Sequence, residues 1–406
     1  MSSRFFSALI ILLSVIQATN AQDRTLRVNY TFSGNSKEAR IYLDDLNVID
    51  GWAGRRVNLK ELYVNGNGQI TMTDAATGDT LYRNAFSTLF QEWQNTEEAT
   101  QVDRSFENVF LLPMPTGKAQ IEVKLTDNYN KVAALLSHTV DPEDILIRHI
   151  GLNPAKWKYL HQSGSPEDCI DVIIVPEGYT ADEMDLFYKD AGIAVNSLFS
   201  HEPFKTMQDR FNILAVELAS KDGTVSDPKN GLWTETVLSS HFSTFYSDRY
   251  LTTLRLRQLH DKLAGIPYEH IIILANTDVY GGGGIFNSYT LTTAHHAQFA
   301  PVVVHEFGHS FGGLADEYFY DDQYEQYYNS ETEPWEPNLT TKVDFDSKWK
   351  DMIPEAGLYE GGGYMSKGVW RGSFDCRMKT NSYKEFCPVC RRSLERIIRF
   401  YTEESK

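Results

Sequence analysis

The run Pro301-Val-Val-Val-His-Glu-Phe-Gly-His309, closed by Gly312-Gly313, constrains this chain more than any other segment. A proline suits the first turn of a helix, where its missing N–H has no intrahelical partner to lose. The three valines give the helix an apolar flank, and the glycine pair breaks it one turn after the second histidine. Residues four apart lie on one helix face, so His305 and His309 can turn both imidazoles toward one point. Neutral imidazoles in that arrangement hold a zinc ion and leave a coordination position open to water. Glu306, beside the pair, is then placed as the general base that takes the water's proton. Such a motif also occurs on ordinary helices whose histidines are merely hydrogen-bonded. Here the apolar flank, the glycine break and the acidic residues that follow favour one catalytic Zn2+ bound by His305 and His309.

Two ligands on a helix, a glycine turn and a third ligand on the returning chain make up the metzincin design, in which the third ligand follows its glycine by three residues. Counted from Gly312 that position is Ala315, which cannot bind a metal; counted from Gly313 it is Asp316. Asp316 is the expected third ligand, because a short carboxylate after a tight turn gives up little side-chain freedom. Glu317, with its longer reach, is the alternative, and the carboxylate not used orients a ligand nearby. Further on, Asp375-Cys-Arg-Met-Lys379 offers Met378 for the methionine turn beneath the metal, with Met365 as a second candidate, although a lone methionine is usually core filler. Tyr364 and Tyr383 are candidate oxyanion donors. The side chains of His295 and His296 diverge on either a strand or a helix, which suits a structural or cleft-rim role.

A chain of 406 residues exceeds a usual single domain. Residues 22–140 read as an all-β sandwich domain: Leu26–Phe32 and Ala119–Leu125 alternate, Ala39–Leu43 and Gly68–Met72 are short strands, and Asn/Gly/Asp turn signals separate them. Residues 141–165 are the expected linker. In 166–406 apolar runs alternate with helical stretches: Ile170–Val175, Phe211–Leu218 and His270–Ala275 are strands, and Ala181–Phe199 and Ser247–Leu263 are helices. That alternation predicts an α/β layer on a largely parallel sheet. Gly281–Gly284 lacks the Lys-Ser/Thr of a phosphate loop and reads as a flexible turn. The Ile285–Thr293 stretch after it is a strand at the rim of a cleft, where an extended peptide can add as another strand.

Arg4, the apolar run Phe5–Val15 and the small residues before Ala21 form the three parts of a signal peptide, 1–21, and predict export to the periplasm, the cell surface or the medium. The apolar run is too short to span a bilayer. A formal charge of −17 with no basic block excludes phosphate backbones as partners. Of the four cysteines, Cys376, Cys387 and Cys390 are close in sequence and Cys169 stands apart. An oxidising compartment makes a structural disulfide the expected use of them. Cys387-Pro-Val-Cys390 lacks the βαβ context of a redox motif, and a second zinc site lacks a matching ligand pair.

The stretch Val304–Tyr318 resembles the IgA-peptidase family of metallopeptidases, as does the stretch from Cys376 through Cys390. Tyr30-Thr-Phe-Ser-Gly-Asn35 and Ser105-Phe-Glu-Asn-Val-Phe110 resemble the β-domain that precedes the peptidase in one form of that family. The resemblance implies a metzincin-like α/β zinc peptidase domain behind the β-domain, acting on a protein or peptide. Two other readings share the sequence: an inactive surface protein that binds peptide or glycan, and a zinc hydrolase of a non-peptide amide.

Overall fold

A computed structural model describes residues 24–152, 155–321 and 327–404; the expected signal peptide 1–21 lies outside the described residues. In β1 (Arg24–Gly34) the even-numbered side chains Leu26, Val28, Tyr30 and Phe32 are fully buried. Antiparallel neighbours β2 (Ala39–Asp50) and β5 (Arg104–Pro113) flank it, and β8 (Arg148–His149) pairs parallel to β2. A second sheet, ordered β4-β3-β6-β7, joins β3 (Gly68–Asp74), β4 (Thr80–Phe86), β6 (Ala119–Thr126) and β7 (Val132–Val140), all antiparallel. The apolar sides of both sheets meet in one core around Phe32, Ile70, Phe86 and Ile121. A short helix, α1 (Leu89–Trp93), closes one end; Thr88 caps it by accepting the Gln91 N–H at 3.1 Å.

The larger part is built on six strands in the order β13-β14-β12-β10-β11-β9. β10 (Ile170–Glu177), β11 (Phe211–Val216), β12 (His270–Ala275) and β14 (Tyr289–Thr293) run parallel. β9 (Trp157–His161) and β13 (Gly282–Ile285) are antiparallel edges. Parallel strands are covered on both faces and so read as unbroken apolar runs. Val172, Ile174, Ile213 and Leu274 face a core shared with helices α2 (Met184–Leu198), α4 (Phe299–Ser310) and α5 (Pro388–Thr402). Ile173, Val175, Leu214 and Ile273 face the other way, into the core that continues through Leu238, Leu251 and Leu259 to the two N-terminal sheets. That second face is covered mainly by β-structure, loops and two short helices, where a doubly wound fold would place long ones. Helix α3 (Leu256–Lys262) joins the parts: Asp261 lies 2.5 Å from the buried Arg27 of β1, and the Arg257 carbonyl accepts from the same guanidinium at 3.1 Å. Finally, β18 (Tyr364–Arg371) pairs with β15 (Phe319–Tyr320), β16 (Leu339–Thr340) and β17 (Tyr359–Gly362).

Three local expectations are revised. The 141–165 stretch expected as a linker contains β8 and β9, which belong to sheets on either side of it. The expected helix 247–263 forms only over its last half, because Tyr250 bridges to Gly282 and Leu251 is buried. Gly282–Gly284, expected as a turn, forms the sheet edge, and Tyr289–Thr293 lies one strand further in.

Trp93 is fully buried, 5.6 Å from the Phe106 ring, with its indole N–H on Glu98 at 2.7 Å. Trp93→Ala is expected to lower stability by about 3–5 kcal/mol. Denaturant unfolding of the full chain measures it, and a loss below about 1 kcal/mol would show that α1 packs loosely.

Candidate metal centre

Helix α4 turns Val303, Val304 and Phe307 into the core, where the Phe307 ring stacks on Phe311 at 5.1 Å. Its other side carries His305, Glu306 and His309, all half-buried at the floor of a cleft. The glycines end the helix as the sequence implies. Gly313 takes a left-handed φ of +61°, and the Leu314 N–H turns back to the Gly308 carbonyl at 3.1 Å. That turn brings the Leu314 carbonyl to 2.5 Å from His309 Nδ1. The Arg377 carbonyl takes the same position on His305, 3.0 Å from Nδ1. A ring nitrogen facing a carbonyl carries the proton, so each Nε2 presents its lone pair. The two Nε2 atoms are 3.0 Å apart.

Asp316 completes a triangle with them. Its Oδ1 lies 3.0 Å from His305 Nε2 and 3.2 Å from His309 Nε2, while its Oδ2 accepts the Tyr364 hydroxyl at 2.5 Å. Oδ1 is buried and accepts no hydrogen bond. Three lone-pair atoms converging without a donor repel one another unless a cation sits among them. Tetrahedral zinc with bonds of about 2.0–2.1 Å sets its nitrogen and oxygen ligands about 3.3 Å apart, so the donor set fits. Charge follows the same logic. Burial works against an ionised Asp316, but the two imidazoles outweigh it and hold the carboxyl well below the usual range. With no ion bound, burial opposes a charged His309 but Asp316 overrides it and raises the imidazole to about 9, so a metal ion enters the triangle by displacing a proton. Glu306 is pushed up by burial, with His305 and His309 pulling back.

The other expected residues fall in distinct places. Glu317 turns away from the triangle into a buried cluster with Cys376, Cys387 and Cys390. Met378 is fully buried beneath α4: a Cβ on Gly308 would come within 2.7 Å of its sulfur. Met365 packs in a separate small cluster with Leu339 and Val369. Tyr364 lines the site through Asp316, while Tyr383 is exposed and outside the cleft lining. His295 pairs with Asp190 at 2.8 Å and His296 meets the Tyr280 ring edge-on at 5.1 Å, so both are engaged away from the triangle.

Edge strand β13 runs directly over α4. A Cβ on Gly284 would sit 2.2 Å from the Glu306 carbonyl oxygen, so only glycine permits this approach. The outer side of that edge is partly occupied, since Tyr250 bridges to Gly282. The Tyr250 hydroxyl donates to Glu92 of α1, whose carboxyl is pushed up to about 7 by burial. Nothing in the spacing of Glu92 or Tyr250 marks them; only the fold brings them beside Glu306. The cleft encloses about 1600 Å³ and is lined on its far side by N-terminal residues, among them Lys37, Gln94, Glu97 and Asn128.

With helix, glycine turn, carboxylate and buried methionine in place, the chain can be set beside known proteins. The family profile described as IgA Peptidase M64 matches residues 159–356 and 352–398, and one described as Peptidase M64 N-terminus matches residues 18–137. The chain therefore belongs to the IgA Peptidase M64 family, a family of peptidases, whose substrates are proteins or peptides. A search of curated proteins gave no match. Among the described residues no helix is long and apolar enough to cross a membrane.

Two expectations follow from the geometry. Tyr364→Phe removes the hydroxyl that steadies Asp316, and should weaken zinc binding about 10–100-fold with the fold intact; competition against a chromogenic chelator measures it. Gly284→Ala should separate β13 from α4 and lower peptide turnover while far-ultraviolet circular dichroism stays unchanged.

Proposed function

We propose that the protein is an exported, zinc-dependent endopeptidase of metzincin-like build, with His305, His309 and Asp316 as metal ligands and Glu306 as general base. The observation that carries this reading is the triangle of two imidazole nitrogens and an orphaned carboxylate oxygen, with Glu306 next to it. Zinc held there supplies a Lewis acid that makes water nucleophilic at neutral pH and polarises the scissile carbonyl. The rest is work for the chain's own groups. Leu314 and Arg377 hold the two imidazoles in one tautomer, and Tyr364 fixes the orientation of Asp316. A Glu306 carboxylate oxygen takes the proton of the attacking water and hands it to the departing amine nitrogen. Burial makes Glu306 more basic than a solvated carboxylate and suits it to that exchange.

An endopeptidase needs room on both sides of the bond it cuts. The cleft, at about 1600 Å³, exceeds the roughly 300–1,000 Å³ of a small-molecule pocket. That volume leaves room for a peptide between β13 and the N-terminal wall. The buried Met378 beneath the helix supports the methionine-turn reading, and the paired β-sheets of residues 24–149 support the sandwich reading of the N-terminal part.

Purified protein should cleave internal bonds in a diverse peptide mixture, lose the activity to a zinc chelator and regain it with zinc. Glu306→Gln should keep its metal and lose about 10²–10⁴-fold in turnover, since an amide cannot accept the proton. Equal turnover by the two proteins at equal zinc content would sink the assignment. Release of single terminal residues, in place of internal fragments, would replace the endopeptidase reading with an exopeptidase one.

A further inference from the structure

Behind the histidine triangle lies a second group of metal-ligand side chains. Glu317, Cys376, Cys387 and Cys390 are each at most 1% exposed, and their ligand atoms all lie within 4.8 Å of one another. All four cysteines of the chain are free thiols, contrary to the expected disulfide; Cys376 Sγ and Cys390 Sγ are 3.8 Å apart, far beyond the about 2.05 Å of a bonded pair. Glu317 Oε1 is 3.1 Å from Cys390 Sγ and 3.9 Å from Cys387 Sγ. Tetrahedral zinc with Zn–S bonds of about 2.3 Å places neighbouring sulfurs roughly 3.8 Å apart, and sulfur and oxygen roughly 3.5 Å apart. The sulfur pair matches that spacing, and the two sulfur–oxygen separations fall on either side of it.

A second observation points to a ligand independently. Glu317 Oε2 is buried with no hydrogen-bond partner, and the Arg371 guanidinium acts on the carboxyl only from beyond ion-pair distance. Its other oxygen is held by the Asn338 amide at 3.0 Å, which also clamps both backbone groups of Ala315. A buried carboxyl left this way either keeps a proton or is neutralised by a cation, and the three thiols converging on the same point favour the cation.

We infer that Glu317, Cys376, Cys387 and Cys390 bind a structural zinc ion, distinct from the ion of the histidine site. Three soft thiolates select zinc over magnesium or calcium, and four protein ligands leave no position for water, which is the mark of a structural site. Binding releases the thiol protons to solvent. The ion ties together three segments that build the catalytic floor. Glu317 follows Asp316 directly, and its N–H donates to the Met378 carbonyl at 2.8 Å. Cys376 precedes Arg377, whose carbonyl orients His305. Cys387 and Cys390 begin α5. Zinc there would fix from behind both Asp316 and the Arg377 carbonyl that orients His305.

Elemental analysis of the full chain, purified without chelators, should find two zinc ions per chain. The His305→Ala/His309→Ala variant should retain one, and X-ray absorption of that variant should show a sulfur shell at about 2.3 Å. Glu317→Gln and Cys390→Ser should each lower zinc to one per chain or less; because either change can impair folding, the decisive measurement is the absorption spectrum of the histidine variant. Thiol titration of the unreduced, denatured protein should count four free thiols. A zinc-free histidine variant, a shell without sulfur, or a disulfide among Cys376, Cys387 and Cys390 would each overturn the inference. None of these results depends on peptide cleavage, so failure of the catalytic reading leaves this test intact.

Discussion

The convergence of two imidazole nitrogens and a carboxylate oxygen within 3.2 Å needs a positive charge, a proton or a metal ion, to hold it. Each element around it acts to keep those atoms together against their repulsion. Apolar packing of Val303, Val304 and Phe307 pins the helix to the sheet, backbone carbonyls fix both ring tautomers, and the left-handed Gly313 folds the chain back so that Asp316 arrives from outside the helix. Remove any of these and the donors separate, because nothing but a cation rewards their closeness.

How much of this was legible in the sequence depends on the range of the interactions involved. The helix from Phe299 to Ser310 was legible because proline start, apolar flank, histidine spacing and glycine stop are local signals. The parallel strands Ile170–Glu177 and His270–Ala275 were legible because burial on both faces leaves an unbroken apolar run. Gly282–Gly284 misled as a turn: the glycines reflect the closeness of α4, a tertiary fact that composition reports only as flexibility. The 247–263 stretch misled for a similar reason, since its first half serves as a strap beside the sheet edge.

The two acidic neighbours show the limit most plainly. Asp316 and Glu317 could be ranked by spacing and reach, yet the partner of Glu317 lies some sixty to seventy residues downstream, in three cysteines whose joint placement only the fold fixes. Successive side chains on an extended segment point to opposite sides, so one dipeptide faces two chemically different environments. Glu92 and Tyr250 are further cases: a short N-terminal helix and a loop strap meet beside Glu306 without any motif to announce it.

The far wall of the cleft has a consequence of its own. Lys37, Gln94, Glu97 and Asn128 belong to the N-terminal sheets and their loops, well away in sequence from every group that handles a proton or a metal. Part of the surface that faces the metal site therefore comes from a different region of the chain than the groups that would do the chemistry. Loops on a β-scaffold tolerate change far better than a helix packed on both sides, so this wall can be rewritten for a new polypeptide while the chemistry opposite stays as it is.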